Sequence, residues 1–132
     1  REEVRWAETD GVNVVHFSNY LRYFERAEEE LYNSIGYSYA EFFKQGIWLP
    51  RVEAYCKYLS PCKYNDIIKV YLKVSEIGEK HIKYSFEIYN LTTNKKACEG
   101  HLVVVTASMN ENKSVPIPKE FKTKLKEYFD IP

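Results

Sequence analysis

The chain has no surplus of either charge: 19 basic residues face 19 acidic ones. That balance argues against a general electrostatic footprint for nucleic acid or anionic membrane. Long hydrophobic runs are missing too. No stretch approaches the roughly 18 apolar residues of a membrane span, and no signal peptide is visible, although the sequence begins at Arg1 without a methionine and its natural start is open. Cysteine is scarce. Cys56, Cys62 and Cys98 are odd in number and lack C-x-x-C spacing, so a disulfide framework is not expected. They read as reduced thiols filling small apolar spaces in a cytoplasmic protein. A Gly-rich phosphate loop is absent, which disfavours nucleotide binding of that type. His16, His81 and His101 show no metal-ligand spacing, so no zinc site and no other metal or cofactor is expected. Repeats, low-complexity tracts and internal linkers are also missing, and residues 1–132 read as one domain.

What is present is an ordinary globular composition, 45% hydrophobic and 29% charged, with an unusual load of 12 tyrosines and 7 phenylalanines. That is more aromatic surface than a small core needs, so some of it is expected to line a pocket or a subunit contact. Apolar Phe17, Tyr20, Leu21, Phe24, Ala27, Leu31 and Ile35 recur at steps of three and four. The spacing predicts an amphipathic helix of about five turns from near Phe17 to about Ser34, with Gly36 at its C-terminal cap. Ahead of it, Glu2–Trp6 alternates as a short strand. Behind it, Tyr39–Gln45 reads as a further helical turn or two stopped at Gly46. Strands are then expected over Trp48–Tyr58, Ile67–Ser75, Lys80–Tyr89 and Lys96–Ser108, and a closing helix carries Phe121, Leu125, Tyr128 and Phe129. The period-two alternation of the later strands predicts an antiparallel meander. An α+β architecture follows, one long helix wrapped by a curved antiparallel sheet of about five strands. Its edge strands remain open, which a dimer joining two sheets edge to edge would close.

Asp10 is the candidate for chemistry. The apolar segment between it and the helix, Gly11-Val12-Asn13-Val14-Val15-His16-Phe17, reads as a buried wall rather than a solvated loop. Free backbone N–H groups at the helix start near Phe17 would lie close to the carboxylate and could polarise a carbonyl oxygen. A carboxylate beside an oxyanion site is a minimal arrangement for hydrolysing an activated ester.

The run Trp6-Ala7-Glu8-Thr9-Asp10, then Val14-Val15-His16-Phe17-Ser18-Asn19-Tyr20 and Tyr23-Phe24-Glu25-Arg26-Ala27, resembles the hot-dog fold acyl-CoA thioesterases. Within these it looks most like the 4-hydroxybenzoyl-CoA thioesterase and YbgC-like branch. Leu59-Ser60-Pro61-Cys62-Lys63-Tyr64-Asn65-Asp66 and Cys98-Glu99-Gly100-His101 extend the likeness over nearly the whole chain. The resemblance implies a hot-dog fold and hydrolysis of an acyl-CoA, or of a carrier-protein thioester, to a free acid and thiol. It implies that Asp10 acts as nucleophile or general base, that the Phe17 N–H polarises the thioester carbonyl, and that the site lies at the interface of a dimer or dimer of dimers. Four features depart from the pattern. Glu8 stands for an aspartate, Asn13 for a turn glycine, His16-Phe17 inverts the common Tyr-His order, and Glu28 replaces an arginine.

Around this centre His16 is expected either as a packed wall residue or as a hydrogen-bonding partner of Asp10 or substrate. Ser60 and Asp66 are expected to shape the neighbouring subunit's side of the pocket. Lys57, Lys63, Lys80 and Lys83, all near likely pocket strands, are candidates for coenzyme A phosphates, and Lys80 and Lys83 are taken as the substrate-binding pair. Glu25 is expected to orient the loop or an interface. Two other readings stand beside hydrolysis. A non-catalytic acyl-binding or scaffold protein would keep the same fold. A hot-dog enoyl-CoA hydratase would read roughly D-x-N-P-x-H, whereas here Asp10 and His16 stand six residues apart, one more than that motif has, with no proline between them.

Overall fold

The computed structural model describes residues 1–132. Its elements run β1 (Glu2–Glu3), α1 (Asn19–Ser34), α2 (Tyr39–Lys44), β2 (Ile47–Trp48), β3 (Arg51–Tyr58), β4 (Ile67–Ile77), β5 (His81–Asn90), β6 (Lys95–Val105), β7 (Ala107–Ser108) and α3 (Lys119–Tyr128). Five strands form an antiparallel sheet in the order β1-β4-β5-β6-β3, and β2 pairs with β7 as a separate ribbon. This is the hot-dog arrangement, with α1 packed against the buried face of the sheet. No helix is long and apolar enough to cross a membrane.

The alternating strands put Ile82, Tyr84, Phe86 and Ile88 of β5 and Cys98, Leu102 and Val104 of β6 against the helix. Phe24 of α1 stacks on Phe86 at 4.4 Å between centroids. Gly100, opposite Phe86 in the ladder, makes that approach possible. A Cβ there would stand 3.0 Å from the Phe24 ring and 2.0 Å from the Tyr55 carbonyl oxygen. At the far end Tyr32, Tyr37, Phe42 and Phe121 pack edge to face, so α2 and α3 seal the mouth of the sheet. Gly36 closes α1 with φ +73°, its N–H on the Asn33 carbonyl and the Tyr37 N–H on that of Tyr32.

Several boundaries differ from expectation. The first strand ends at Glu3, and Trp6–Glu8 is a 3-10 turn. The strand expected over Trp48–Tyr58 is broken at Leu49-Pro50, because Pro50 has no N–H for a ladder. The helix starts at Asn19, leaving Phe17 outside it and 63% exposed. Its buried face is more polar than the apolar stripe suggests: Asn19, Tyr23, Glu28 and Tyr32 are all buried. The three cysteines are free, with Cys62 and Cys98 in the core.

Candidate active site

The segment from Glu8 to Phe17 doubles back on itself. The Asp10 N–H donates to the Val14 carbonyl at 2.7 Å, Thr9 bridges Val15, and the His16 N–H donates to the Glu8 carbonyl at 2.9 Å. Asn13 makes the turn with φ +65°, a left-handed conformation that asparagine tolerates. The returning arm is tacked to the following loop by the Val15 N–H on the Cys62 carbonyl at 2.8 Å and by a Val14–Lys63 bridge. Only part of this segment is a buried wall: Val15 is buried, whereas Val12 is 75% exposed.

Asp10 caps its own turn. Its Oδ1 accepts the Val12 N–H at 2.9 Å and, more weakly, that of Val14 at 3.5 Å. Its Oδ2 makes no hydrogen bond within the chain, and the residue is exposed in the single protomer. One carboxylate oxygen is thus anchored and the other is free.

The peptide between His16 and Phe17 is held by its carbonyl, which accepts the Asn19 N–H at 2.9 Å. In a trans peptide the N–H points opposite to the carbonyl, so the Phe17 N–H is directed away from the first turn of α1. That N–H has no acceptor in the chain. It sits at the positive end of a 16-residue helix whose first turn carries no acidic side chain.

Beside it runs a groove of about 320 Å³ lined by Val14, Val15, Phe17, Tyr20, Tyr58, Leu59, Ser60 and Pro61. Six of the eight lining residues are hydrophobic, and the volume falls within the usual range for small-molecule pockets. Phe17, Tyr58 and Tyr20 meet edge to face along it. A larger cleft lies elsewhere, between the N-terminal residues and Tyr64.

Sequence reasoning missed what holds this arrangement together. Glu8 is buried beneath the loop. Its Oε1 accepts the Arg5 N–H at 3.0 Å and the Tyr23 hydroxyl at 2.9 Å, and its Oε2 accepts Arg26 at 2.7 Å. Burial pushes the Glu8 carboxyl up, but the hydrogen bonds from Arg5, Arg26 and Tyr23 outweigh it and hold it below its ordinary value. The Glu8 carbonyl also takes the Asn19 side-chain amide at 2.9 Å. The available signal was Glu8, Asn19, Tyr23 and Arg26 themselves, polar groups all falling within the runs that carry the resemblance.

The other predicted site residues divide. Ser60 lines the groove, but its hydroxyl donates to the Lys96 carbonyl at 2.9 Å. His16 is exposed, stacks on Phe17 at 4.4 Å and pairs through Nδ1 with the Ser18 hydroxyl at 2.8 Å. It is neither a packed wall residue nor a partner of Asp10, because the turn leaves it at the helix start. Asp66 serves the fold, its Oδ2 accepting the Lys63 N–H and the Asn90 amide. Lys80 and Lys83 do not reach the groove of their own chain. Lys83 pairs with Val103 and the Lys80 carbonyl with the Thr106 N–H, while Ser60 is tied to Ala97 at the other end of β6. Six residue steps, from Ala97 to Val103, separate these ends, roughly 20 Å of strand. His81 and His101 pair with Glu76 and Glu53 on the surface. Glu25 is largely exposed, 3.8 Å from Arg51.

Comparison with known proteins matches this architecture. A protein of Aquifex aeolicus provisionally named an esterase is 34% identical over 128 residues, 96% of each chain. A Bacillus subtilis protein, YneP, provisionally named an acyl-CoA thioesterase, is 30% identical over 77% of this chain and 75% of its own. The crystal structure of a DHNA-CoA thioesterase from Staphylococcus aureus superposes with a TM-score of 0.87 at 28% identity, covering 96% of this chain and 85% of that one. The family model described as the thioesterase-like superfamily matches residues 4–125, and the chain belongs to that superfamily.

Proposed function

We propose that the chain hydrolyses an acyl-CoA thioester to a free acid and coenzyme A, with Asp10 and the Phe17 N–H as its reacting groups. The observation that carries this reading is local. One short loop, fixed at both ends, holds a carboxylate with a free oxygen and a backbone N–H with no acceptor, and an apolar groove opens beside the latter. The thioester carbonyl accepts the Phe17 N–H, which stabilises the oxyanion as attack proceeds. Asp10 Oδ2 either attacks the carbonyl carbon, forming a mixed anhydride that water then cleaves, or takes a proton from the attacking water. Either route expels the thiolate and consumes one water.

We read residues 1–132 as one hot-dog domain of the 4-hydroxybenzoyl-CoA thioesterase and YbgC-like branch, acting as a dimer or dimer of dimers. Strand β3 ends the sheet with one side unpaired and with Val52, Tyr55 and Tyr58 exposed along it. Pairing two copies antiparallel through β3 covers that edge. It also brings the end of the sheet bearing Lys80 and Lys83 toward the neighbouring groove, where they would meet coenzyme A phosphates. The aromatic walls suit a flat aromatic acyl group, in keeping with the named substrate of the Staphylococcus aureus protein. Carrier-protein thioesters present the same reacting bond.

The test is thiol release from a panel of aromatic and aliphatic acyl-CoAs, with Asp10→Ala as control. Turnover that disappears in the variant supports the reading. Binding without release favours an acyl-binding protein, and loss of enoyl absorbance without thiol favours a hydratase.

A further inference from the structure

Tyr58 is the last residue of β3, on the edge strand, and its side chain crosses from the sheet to the start of α1. Its hydroxyl donates to the Phe17 carbonyl at 3.1 Å, a shorter contact than the 3.4 Å one from the Tyr20 N–H to the same oxygen. Its ring meets the Phe17 ring edge-on at 6.4 Å and the Tyr20 ring at 5.2 Å. The chain just beyond it is firmly held, since the Leu59 and Ser60 N–H groups both donate to the Ala97 carbonyl, at 2.8 and 3.1 Å. Tyr58 is therefore a fixed post rather than a free surface side chain.

Phe17 has two adjoining peptides. The one before it, which supplies the free N–H, is held through the His16 carbonyl by Asn19. The one after it is held at its carbonyl by the Tyr58 hydroxyl and, at longer range, the Tyr20 N–H, while its own N–H donates to His16 Nδ1 at 3.3 Å. With both planes restrained, the backbone rotations at Phe17 are fixed, and with them the direction of the N–H. Resting on the thioesterase reading above, we propose that Tyr58 is a positioning residue for the Phe17 N–H. Through it the edge strand sets the aim of the carbonyl-polarising donor.

The role predicts a split in the kinetics. Tyr58→Phe keeps the ring and the groove wall but loses the hydroxyl, so kcat for thiol release falls roughly three- to tenfold while KM stays within about twofold, because the lost restraint acts where charge develops. Thermal unfolding and oligomeric state remain as in the parent. A fluorinated tyrosine at position 58, with a phenol that ionises inside the assay range, gives a second readout. Its kcat gains an alkaline limb at the pH where the phenolate forms, since a phenolate cannot donate to a carbonyl. Raised KM with unchanged kcat makes Tyr58 only a wall of the groove and overturns the proposal. So does a kcat loss that tracks lowered stability or subunit dissociation, or a fluorinated variant with the parent pH profile. Asp10→Asn, assayed in parallel, separates the two claims: if the parent releases no thiol above the uncatalysed rate, the thioesterase reading fails first, and if parent and Asp10→Asn turn over equally, only the role of Asp10 falls.

Discussion

Two buried glutamates, one beneath the candidate active site and one at the opposite end of the same helix region, are built from similar parts and behave oppositely. Glu8 takes one guanidinium, Arg26, one tyrosine and a backbone N–H. Glu28, on α1, takes Arg51 and the hydroxyls of Tyr32 and Tyr39, at 2.6 and 3.3 Å for the tyrosines. Yet the Glu8 carboxyl is held below its ordinary value, whereas burial pushes that of Glu28 up despite the attraction of Arg51. The difference is depth. Glu28 is fully buried among aromatic rings, with the Tyr84 hydroxyl donating in turn to that of Tyr32 at 2.9 Å, so desolvation dominates. Glu8 lies just under a surface loop, where a backbone donor and a partly exposed arginine suffice to favour the charge. One network therefore serves the stability of the core, and the other the geometry of the loop.

The largest break in this comparison is expected from Glu28→Ala. Removing the carboxylate takes from Arg51 its buried counter-ion and from the Tyr32 and Tyr39 hydroxyls their acceptor, and lowers unfolding free energy by about 3–5 kcal/mol, measured by denaturant titration. The specific activity of the protein that remains folded is expected to hold. Glu8→Gln should reverse the pattern. It costs less stability, about 1–3 kcal/mol, but thiol release should fall further than stability explains as the loop loses its anchor.

Sequence made one of these networks half visible and hid the other. The antiparallel meander follows from residues such as Ile82, Tyr84, Phe86 and Ile88, whose alternation marks one packed face, and the helix from the three-and-four spacing of its apolar residues, whereas the hot-dog class comes with the resemblance. Asp10 and the N–H groups near Phe17 stand out by their place just ahead of the apolar helix stripe, while their assigned roles come from resemblance to a family motif. What could not be read was the polar lining of α1. Glu28 looked like a departure from a family arginine and is instead a buried carboxylate whose cation comes from β3, 23 positions along the chain. Local periodicity carries no information on such long-range pairs. The same limit placed Lys80 and Lys83 beside the pocket, since distance along a strand depends on register rather than on composition.

pH sharpens the contrast. Because the Glu8 carboxyl is depressed, its contribution is present above the ordinary value of 4.5 and is lost as pH falls through the folded value. Glu28 has the opposite sign: its contribution is greatest in acid and is lost as pH rises through its elevated folded value. Urea midpoints across pH should therefore show a flatter acid limb in Glu8→Gln and a flatter decline on the alkaline side of 4.5 in Glu28→Gln. The smallest effect belongs to His16→Ala, which removes an exposed ring bonded only to Ser18. Stability should move by no more than about 0.5 kcal/mol, read by thermal melting.

The account turns on the Phe17 amide meeting the substrate carbonyl. Its most direct test is the ¹H–¹⁵N resonance of that amide, followed while the protein is titrated with a non-hydrolysable acyl-CoA analogue that retains a carbonyl. A downfield proton shift at Phe17 larger than at any other loop residue, retained in Asp10→Asn, is the expected result. Saturable binding that shifts residues elsewhere and leaves the Phe17 amide unmoved would contradict it.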